Sequence, residues 1–300
     1  MPIKVLLSPL VSEDYYRSVR AIKSCYLQSN HNLEYGVHVV INSLDENFVD
    51  EIVGFCLVNN IDYTISESDG TPSTGKNAVF DVFKNSDYTH LSQLDGDDIF
   101  YPAFLTQTQR HLTKYPNTDV LSTIPMDVIA DNEDQGMFKL ENGQHTLLWG
   151  THYYSNEDWC GKFGRDPMAD GISIPNYGRF VLYSKKVVDL NLSYDKEVVL
   201  GEDKKIHFDF LSYHQMDRLS YWFTLASDMW ICDKTTNGIQ KKYSGQDDFP
   251  EKDVQTTNYL RAHIAKIMWP ERSAPGEIPI DFPPIFMLPE HKLEFLNKIL

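Results

Sequence analysis

Cysteine is scarce in this chain. Its four residues, Cys25, Cys56, Cys160 and Cys232, stand far apart with no C-x-x-C pair, so neither a zinc site nor a disulfide framework is indicated. No apolar run approaches the roughly 20 residues of a membrane span. The N-terminus, MPIKVLLSPLVSEDYY, turns acidic after a brief apolar stretch, which does not suit a secretory signal. Cations are also short: 27 Lys and Arg face 43 Asp and Glu, for a net charge of −16. Bulk charge therefore argues against nucleic acid or an anionic membrane surface as a partner. An anionic ligand would need a local device, such as a metal ion or a few placed cations. The phosphate loops GxxxxGK[ST] and GxGxxG are both missing, and no internal repeat is present. What remains is a 300-residue chain of ordinary globular composition, 42% hydrophobic and 13% aromatic. It reads as a soluble α/β protein of a reducing, cytoplasmic compartment.

Strand and helix patterns alternate through the first 130 residues. Residues 3–7 (IKVLL), 35–41 (YGVHVVI), 62–66 (DYTIS), 87–94 (DYTHLSQL) and 120–124 read as strands. Helical periodicity falls between them, over residues 12–28, 48–58, from 74 or 75 through 83, and 102–115. Strands joined by helices of that length make βαβ units and a mainly parallel sheet, in which ligands sit at the carboxyl ends of the strands. Residues 8–9, 42–45, 66–70 and 95–98 then share one rim. From 131 to 177 the pattern dissolves into a segment rich in Gly, Asp, Trp and Tyr, which reads as a functional loop or insertion. Further elements are expected at 178–183 (strand), 184–188, 201–213 (helix), 230–233 (strand) and 254–268 (helix). Residues 269–289 hold six of the fifteen prolines, so that stretch is expected to be neither sheet nor long helix before a terminal amphipathic helix. The tail either wraps the domain or makes a homo-oligomer contact. The expected organisation is residues 1–130 as the βαβ half of the domain, 131–250 as its second half, and 251–300 as a helical, Pro-rich extension.

Three clusters carry chemistry. Leu94-Asp95-Gly96-Asp97-Asp98 ends a strand, and carboxylates at alternate positions let two side chains reach one hard cation while the backbone turns. The bland alternative is an acidic β-turn with a helix cap. Gly75-Lys76-Asn77 leads a helix and could hold phosphate, or could be a capped helix with an exposed lysine. Gly201-Glu202-Asp203 opens a helix, where acidic residues are favoured by the macrodipole or could present a general base.

In this order and spacing the clusters resemble the family-2 type of GT-A glycosyltransferase, over roughly residues 1–250. Ser8-Pro9-Leu10-Val11 fits the family's Pro-containing turn after the first strand. Thr74-Gly75-Lys76-Asn77-Ala78 fits its G-[AS]-[RK]-N loop, and residues 91–102 (LSQLDGDDIFYP) fit its acidic strand end. Gly201-Glu202-Asp203 fits its "xED" motif. The resemblance implies a GT-A fold: Rossmann-like, with a mainly parallel central sheet and flanking helices. It implies that Asp95 and Asp97, with Asp98 as a third candidate, hold Mn²⁺ or Mg²⁺ against the diphosphate of a nucleotide-sugar, a UDP-sugar in the favoured reading. Pro9, Val11, Asn42, Asp45, Lys76, Asn77, Asp95 and Gly96 would form the nucleotide-sugar site. Asp203 would deprotonate an acceptor hydroxyl with Glu202 orienting it, in an inverting transfer. The family's late His, in a Y-R-x-H context, has no counterpart in this stretch; either Lys241, Lys242 or Tyr243 would contact the diphosphate instead, or His263 or His214 would fold back to it. The processive signature QxxRW is also absent, which points to single-sugar transfer.

Within the aromatic insertion, Trp149, His152, Tyr154, Trp159 and Arg165 would either stack on and bind a glycan or small-molecule acceptor, or form a small satellite core. His207 and His214, at helical spacing with Phe208, Phe210 and Leu211, read as packing residues. Two other readings keep the same sheet. A sugar nucleotidyltransferase would need a cation-bearing loop after the first strand, and residues 8–14 carry none. A non-catalytic binding protein would show a broken acidic turn or a missing base, and both are intact.

Overall fold

The computed structural model describes residues 2–123, 127–130, 138–139, 146–149, 179–197, 202–224, 226, 228–233, 280–281 and 283–300. Its strands, in chain order, are β1 (Lys4–Val11), β2 (Glu34–Ile41), β3 (Asp62–Ile65), β4 (His90–Asp95), β5 (Ile99–Phe100), β6 (Val120–Thr123), β7 (Asp127–Ala130), β8 (Phe138–Lys139), β9 (Thr146–Trp149), β10 (Arg179–Ser184), β11 (Tyr221–Thr224), β12 (Trp230–Asp233) and β13 (Ile280–Asp281). The helices are α1 (Tyr15–Tyr26), α2 (Glu46–Val58), α3 (Pro72–Lys84), α4 (Phe104–Lys114), α5 (Lys185–Asp189), α6 (Glu202–Gln215) and α7 (Pro289–Ile299).

Eight strands form the main sheet in the order β13-β11-β6-β10-β4-β1-β2-β3. All its pairings are parallel except those of β10, which runs antiparallel to both β4 and β6. The chain lays β2 and β3 outward on one side of β1, then returns to place β4 on the other. That reversal makes a switch point between β1 and β4, where the carboxyl ends of both strands open a crevice. A second sheet, β5-β12-β7-β9-β8, stands beside the first.

Both faces of the main sheet are apolar, as a parallel sheet covered on both sides requires. Leu6, Leu10 and Leu91 face one core with Val79, Phe80 and Phe83 of α3 and Ile206 and Phe210 of α6. Val5, Leu7 and Leu94 face the other with Ala21 and Cys25 of α1 and Phe104, Leu105 and Leu112 of α4. Burying each such side chain contributes about 1.5–3 kcal/mol. Helix starts follow local chemistry. Asp14 caps α1 by accepting from Arg17 N at 3.1 Å, Asp45 caps α2, and Thr71 followed by Pro72 opens α3.

Several elements differ from the sequence pattern. β1 continues past Ser8-Pro9 to Val11; Pro9 has no N–H to give the ladder, and Ser8 Oγ donates instead to His38 O at 2.9 Å. The buried face of α1 carries Ser18, Val19, Ala21, Ile22 and Cys25, while Tyr16 is 84% exposed. β7 and β11 are strands that the pattern does not flag, and β8 and β9 fall inside the stretch read as irregular. The Pro-rich tail does contain sheet: Ile280 and Asp281 keep their N–H groups between Pro279 and Pro283, and pair with Phe223 and Thr224. α7 is the expected terminal helix. Phe295 and Leu296 of this helix pack on Ile99, Tyr101, Ile129 and Ile231, so the tail lies on the chain's own domain. The helix expected at 254–268 lies outside the described residues. Among the described residues, no helix is long and apolar enough to cross a membrane.

Candidate active site

The site forms where three segments meet at the carboxyl rim. The first is the turn after β4. Asp98 N donates to Asp95 O at 3.0 Å, closing a tight turn over Gly96 and Asp97. A Cβ added at Gly96 would lie 2.8 Å from Leu10 O and 2.9 Å from Val11 Cα, so only glycine lets the turn press against the end of β1. Asp95 and Asp97 stay half-buried on either side of it. Asp98 is 2% exposed, and its Oδ1 accepts from Asp233 N at 3.1 Å.

The second segment is the start of α3. A Cβ at Gly75 would lie 2.8 Å from the Asn42 side chain and from Leu10, so glycine seats the helix directly on the rim. Lys76, one residue on, is 4% exposed. The third is the start of α6. Lys76 Nζ donates to Glu202 Oε1 at 2.8 Å and to Asp203 Oδ1 at 2.6 Å, and lies 5.1 Å from the centre of the Tyr194 ring. The Glu202 side chain is 10% exposed and that of Asp203 51%, so Asp203 is the member a ligand can reach. Burial alone would lower the lysine's pKa, but the carboxylates of Asp203, Glu202 and Asp95 raise it and keep it charged. Burial raises the pKa of Glu202, opposed by Lys76 and reinforced by Asp203.

Several other candidates have structural tasks. Asn42 accepts from Ser66 Oγ at 2.8 Å and donates to Thr71 O at 3.0 Å, tying three rim loops together. Asp45 Oδ1 accepts from Asn47 N and Phe48 N as the cap of α2. The Asn77 amide is closed in a reciprocal pair with the Tyr194 backbone, at 2.8 Å in each direction, and holds the segment before α6 in place. Pro9 is buried, and Val11 packs into the core between α1 and α2 with Val19 and Ile22. Trp149 ends β9 opposite Asp127. His152, Tyr154, Trp159, Arg165, Gly201, Lys241, Lys242, Tyr243 and His263 lie outside the described residues. His207 has the packing role expected of it: it is buried, and its Nδ1 lies 2.8 Å from Tyr221 Oη. Burial lowers its pKa to about 4. The pattern misses Arg20 and Asp233, which back the acidic turn, and Tyr194, which lies beside Lys76.

No grouping of three or more His, Cys, Asp or Glu able to hold a metal occurs among the described residues. The donor set still fits a hard cation. Asp95 and Asp97 supply oxygens from a turn whose glycine admits no side chain, and a Mg²⁺- or Mn²⁺-type ion commonly takes one or two carboxylates with phosphate and water completing its shell.

With its mainly parallel central sheet and flanking helices, the chain has a GT-A-like glycosyltransferase fold. Two solved structures carry the likeness. S. aureus TarS 1-349 in complex with UDP-GlcNAc matches with a TM-score of 0.51 and 16% identity, over 88% of this chain and 67% of that one. The mannosyltransferase PcManGT from Pyrobaculum calidifontis, in complex with GDP-Man and Mn²⁺, matches with a TM-score of 0.52 and 10% identity, over 87% of this chain and 70% of that one. The longer S. aureus TarS chain matches with a TM-score of 0.49 and 16% identity; 88% of this chain spans 40% of its length. No protein-family model and no curated protein sequence matches the chain.

Proposed function

We propose that the chain is a metal-dependent glycosyltransferase that moves a single sugar from a nucleotide-diphosphate sugar, favourably a UDP-sugar, to an acceptor hydroxyl with inversion. The observation that carries this reading is the Lys76–Glu202–Asp203 cluster, set at the same rim as the Asp95–Asp97 turn. It is supported by the nucleotide-sugars bound in TarS and PcManGT, the two fold relatives.

Asp95 and Asp97 would hold Mn²⁺ or Mg²⁺, which when bound supplies positive charge for a diphosphate leaving group. A chain of net charge −16 has little else with which to hold such an anion. Lys76 is the cation at the rim itself, and Glu202 fixes it from the buried side. Asp203 is the general base: its half-exposed carboxylate accepts the proton of the acceptor hydroxyl as that oxygen attacks the anomeric carbon, and the bond to the departing diphosphate breaks. The Asn77–Tyr194 clamp holds α3 against the segment before α6, and the Asn42 bonds hold the loop that leads into α3.

Hydrolysis and transfer assays with a panel of UDP- and GDP-sugars, on wild type and Asp203→Asn, test the reading. Mn²⁺-stimulated sugar release by the wild type, lost in the variant, is expected. Donor binding without turnover on any donor or acceptor would favour a non-catalytic binding protein. Pyrophosphate release from a nucleoside triphosphate would favour a sugar nucleotidyltransferase.

A further inference from the structure

We infer that Arg20 is the positioning residue of the acidic turn, setting the metal affinity of Asp95 and Asp97 by holding the Asp97 peptide. The inference rests on the reading that this turn binds a metal–nucleotide complex. It goes beyond that reading by naming a residue outside the turn and outside the sequence motif.

Three segments far apart in sequence converge behind the turn. Arg20, 9% exposed on α1, donates Nη2 to the carbonyl oxygen of Asp97 at 3.0 Å and to the Asp233 carboxylate. Asp233, 4% exposed at the end of β12, donates its own N–H to Asp98 Oδ1 at 3.1 Å. Asp98 N returns to Asp95 O at 3.0 Å. The peptide that joins Asp97 to Asp98 is thus gripped through its carbonyl by a guanidinium and closed through its N–H by the turn's own bond.

The charges explain why this grip is strong. Asp98 and Asp233 are both almost fully buried, and a buried carboxylate is costly unless a cation and hydrogen bonds meet it. Arg20 supplies the cation to Asp233, while the Asp233 N–H meets Asp98. A hydrogen bond from a charged donor to the Asp97 carbonyl is also stronger than one between neutral groups. Without Arg20, that peptide loses one of its anchors and can tilt about the bond from Asp98 N to Asp95 O, and such a tilt shifts the Asp97 side chain. The Asp95 carboxylate, fixed at the end of β4, then loses its partner in the right place. Partners that orient metal ligands in this way typically change metal affinity by 10- to 100-fold when removed.

The test is titration of Mn²⁺ into the full chain at saturating UDP, following the free-ion electron paramagnetic resonance signal, with UDP binding measured separately in EDTA. Wild type, Arg20→Met, Arg20→Lys and Asp233→Asn are compared, and circular dichroism checks the fold of each. Arg20→Met is expected to weaken Mn²⁺ by about 10- to 100-fold while metal-free UDP affinity stays at the wild-type value. Arg20→Lys, which keeps the charge, is expected to recover part of the loss. A role confined to folding would lower the melting temperature without separating the two affinities. Should Arg20→Met not fold, Asp233→Asn is expected to show the same separation at smaller size, because it removes the charge that fixes the guanidinium. Wild-type Mn²⁺ affinity in a folded Arg20→Met, or in Asp233→Asn where the methionine variant is unfolded, would overturn the inference and leave the functional reading standing. Wild-type protein that binds UDP no better with Mn²⁺ than with EDTA would overturn both.

Discussion

Lys76 and Lys292 are both buried against carboxylates, but in different surroundings. Lys292, on α7, donates to Asp127 Oδ2 at 2.7 Å, and Tyr101 Oη donates to the same oxygen at 2.7 Å. Lysine and aspartate side chains are each 1% exposed, so that pair is sealed from solvent. Lys76 instead faces two carboxylates, feels a third in Asp95, and one of its partners is half open to solvent. A pair closed off from solvent presents no atom that a ligand can reach. It joins α7 to the β5–β12 unit, just behind the acidic turn. The open set keeps surplus negative charge at the carboxyl rim of the sheet, where a cation and a hydroxyl can use it. Burial of a lysine alone does not separate a structural role from a chemical one; the exposure of its partners does.

The contrast can be tested by substitution. The largest effect is expected in the open set: Asp203→Asn should lower transfer by about 10²–10⁴-fold, read as kcat, with melting temperature and UDP affinity close to wild type. In the closed set the loss should move to stability. Lys292→Met strands the buried Asp127 carboxylate and should cost about 3–5 kcal/mol in urea unfolding, with much of it recovered in Lys292→Met/Asp127→Asn. A Lys292→Met protein that unfolds like wild type would break the distinction. Smaller again is Gly96→Ala, whose Cβ must displace the Leu10 carbonyl 2.8 Å away. Overpacking of that kind costs about 1–3 kcal/mol, and the account expects it to appear as weaker Mn²⁺-dependent UDP binding.

The last effect is spread over a range of pH and concerns the helix that carries Glu202 and Asp203. Burial lowers the pKa of His207 to about 4, below the ordinary histidine value of 6.5. A histidine depressed on folding contributes stability that is present above the unfolded value and lost as pH falls from 6.5 towards 4. The slope should approach ~1.4 kcal/mol per pH unit for this one group, and His207→Gln should flatten it in unfolding titrations.

Much of this was legible in the sequence because the signals are local. The strands of residues 35–41 and 62–66, the DGDD turn and the GED helix start each declare themselves within a few residues, through periodicity or through glycine beside acid. Gly96 and Gly75 illustrate the point, since both are needed where backbone and side chains approach to 2.8 Å. What stayed hidden depends on partners far along the chain. Nothing near Arg20 says that it will meet Asp233, 213 positions away, and nothing near Lys292 points to Asp127, 165 positions away. β13 is two residues among prolines and has no pattern of its own; it exists because β11 offers an edge. Asn77 and Asp45 are motif positions whose amide and carboxylate work on the backbone, a distinction that residue type alone does not make.

The central claim, that the surplus acid at the rim is a metal-dependent nucleotide site, is tested most directly by calorimetric titration of UDP with Mn²⁺ and with EDTA, on wild type and Asp97→Ala. The account predicts UDP binding by the wild type that is tighter with Mn²⁺ than with EDTA, with that gain lost in the variant. Binding that ignores both the metal and the substitution, or no nucleoside diphosphate binding under any condition, would contradict it.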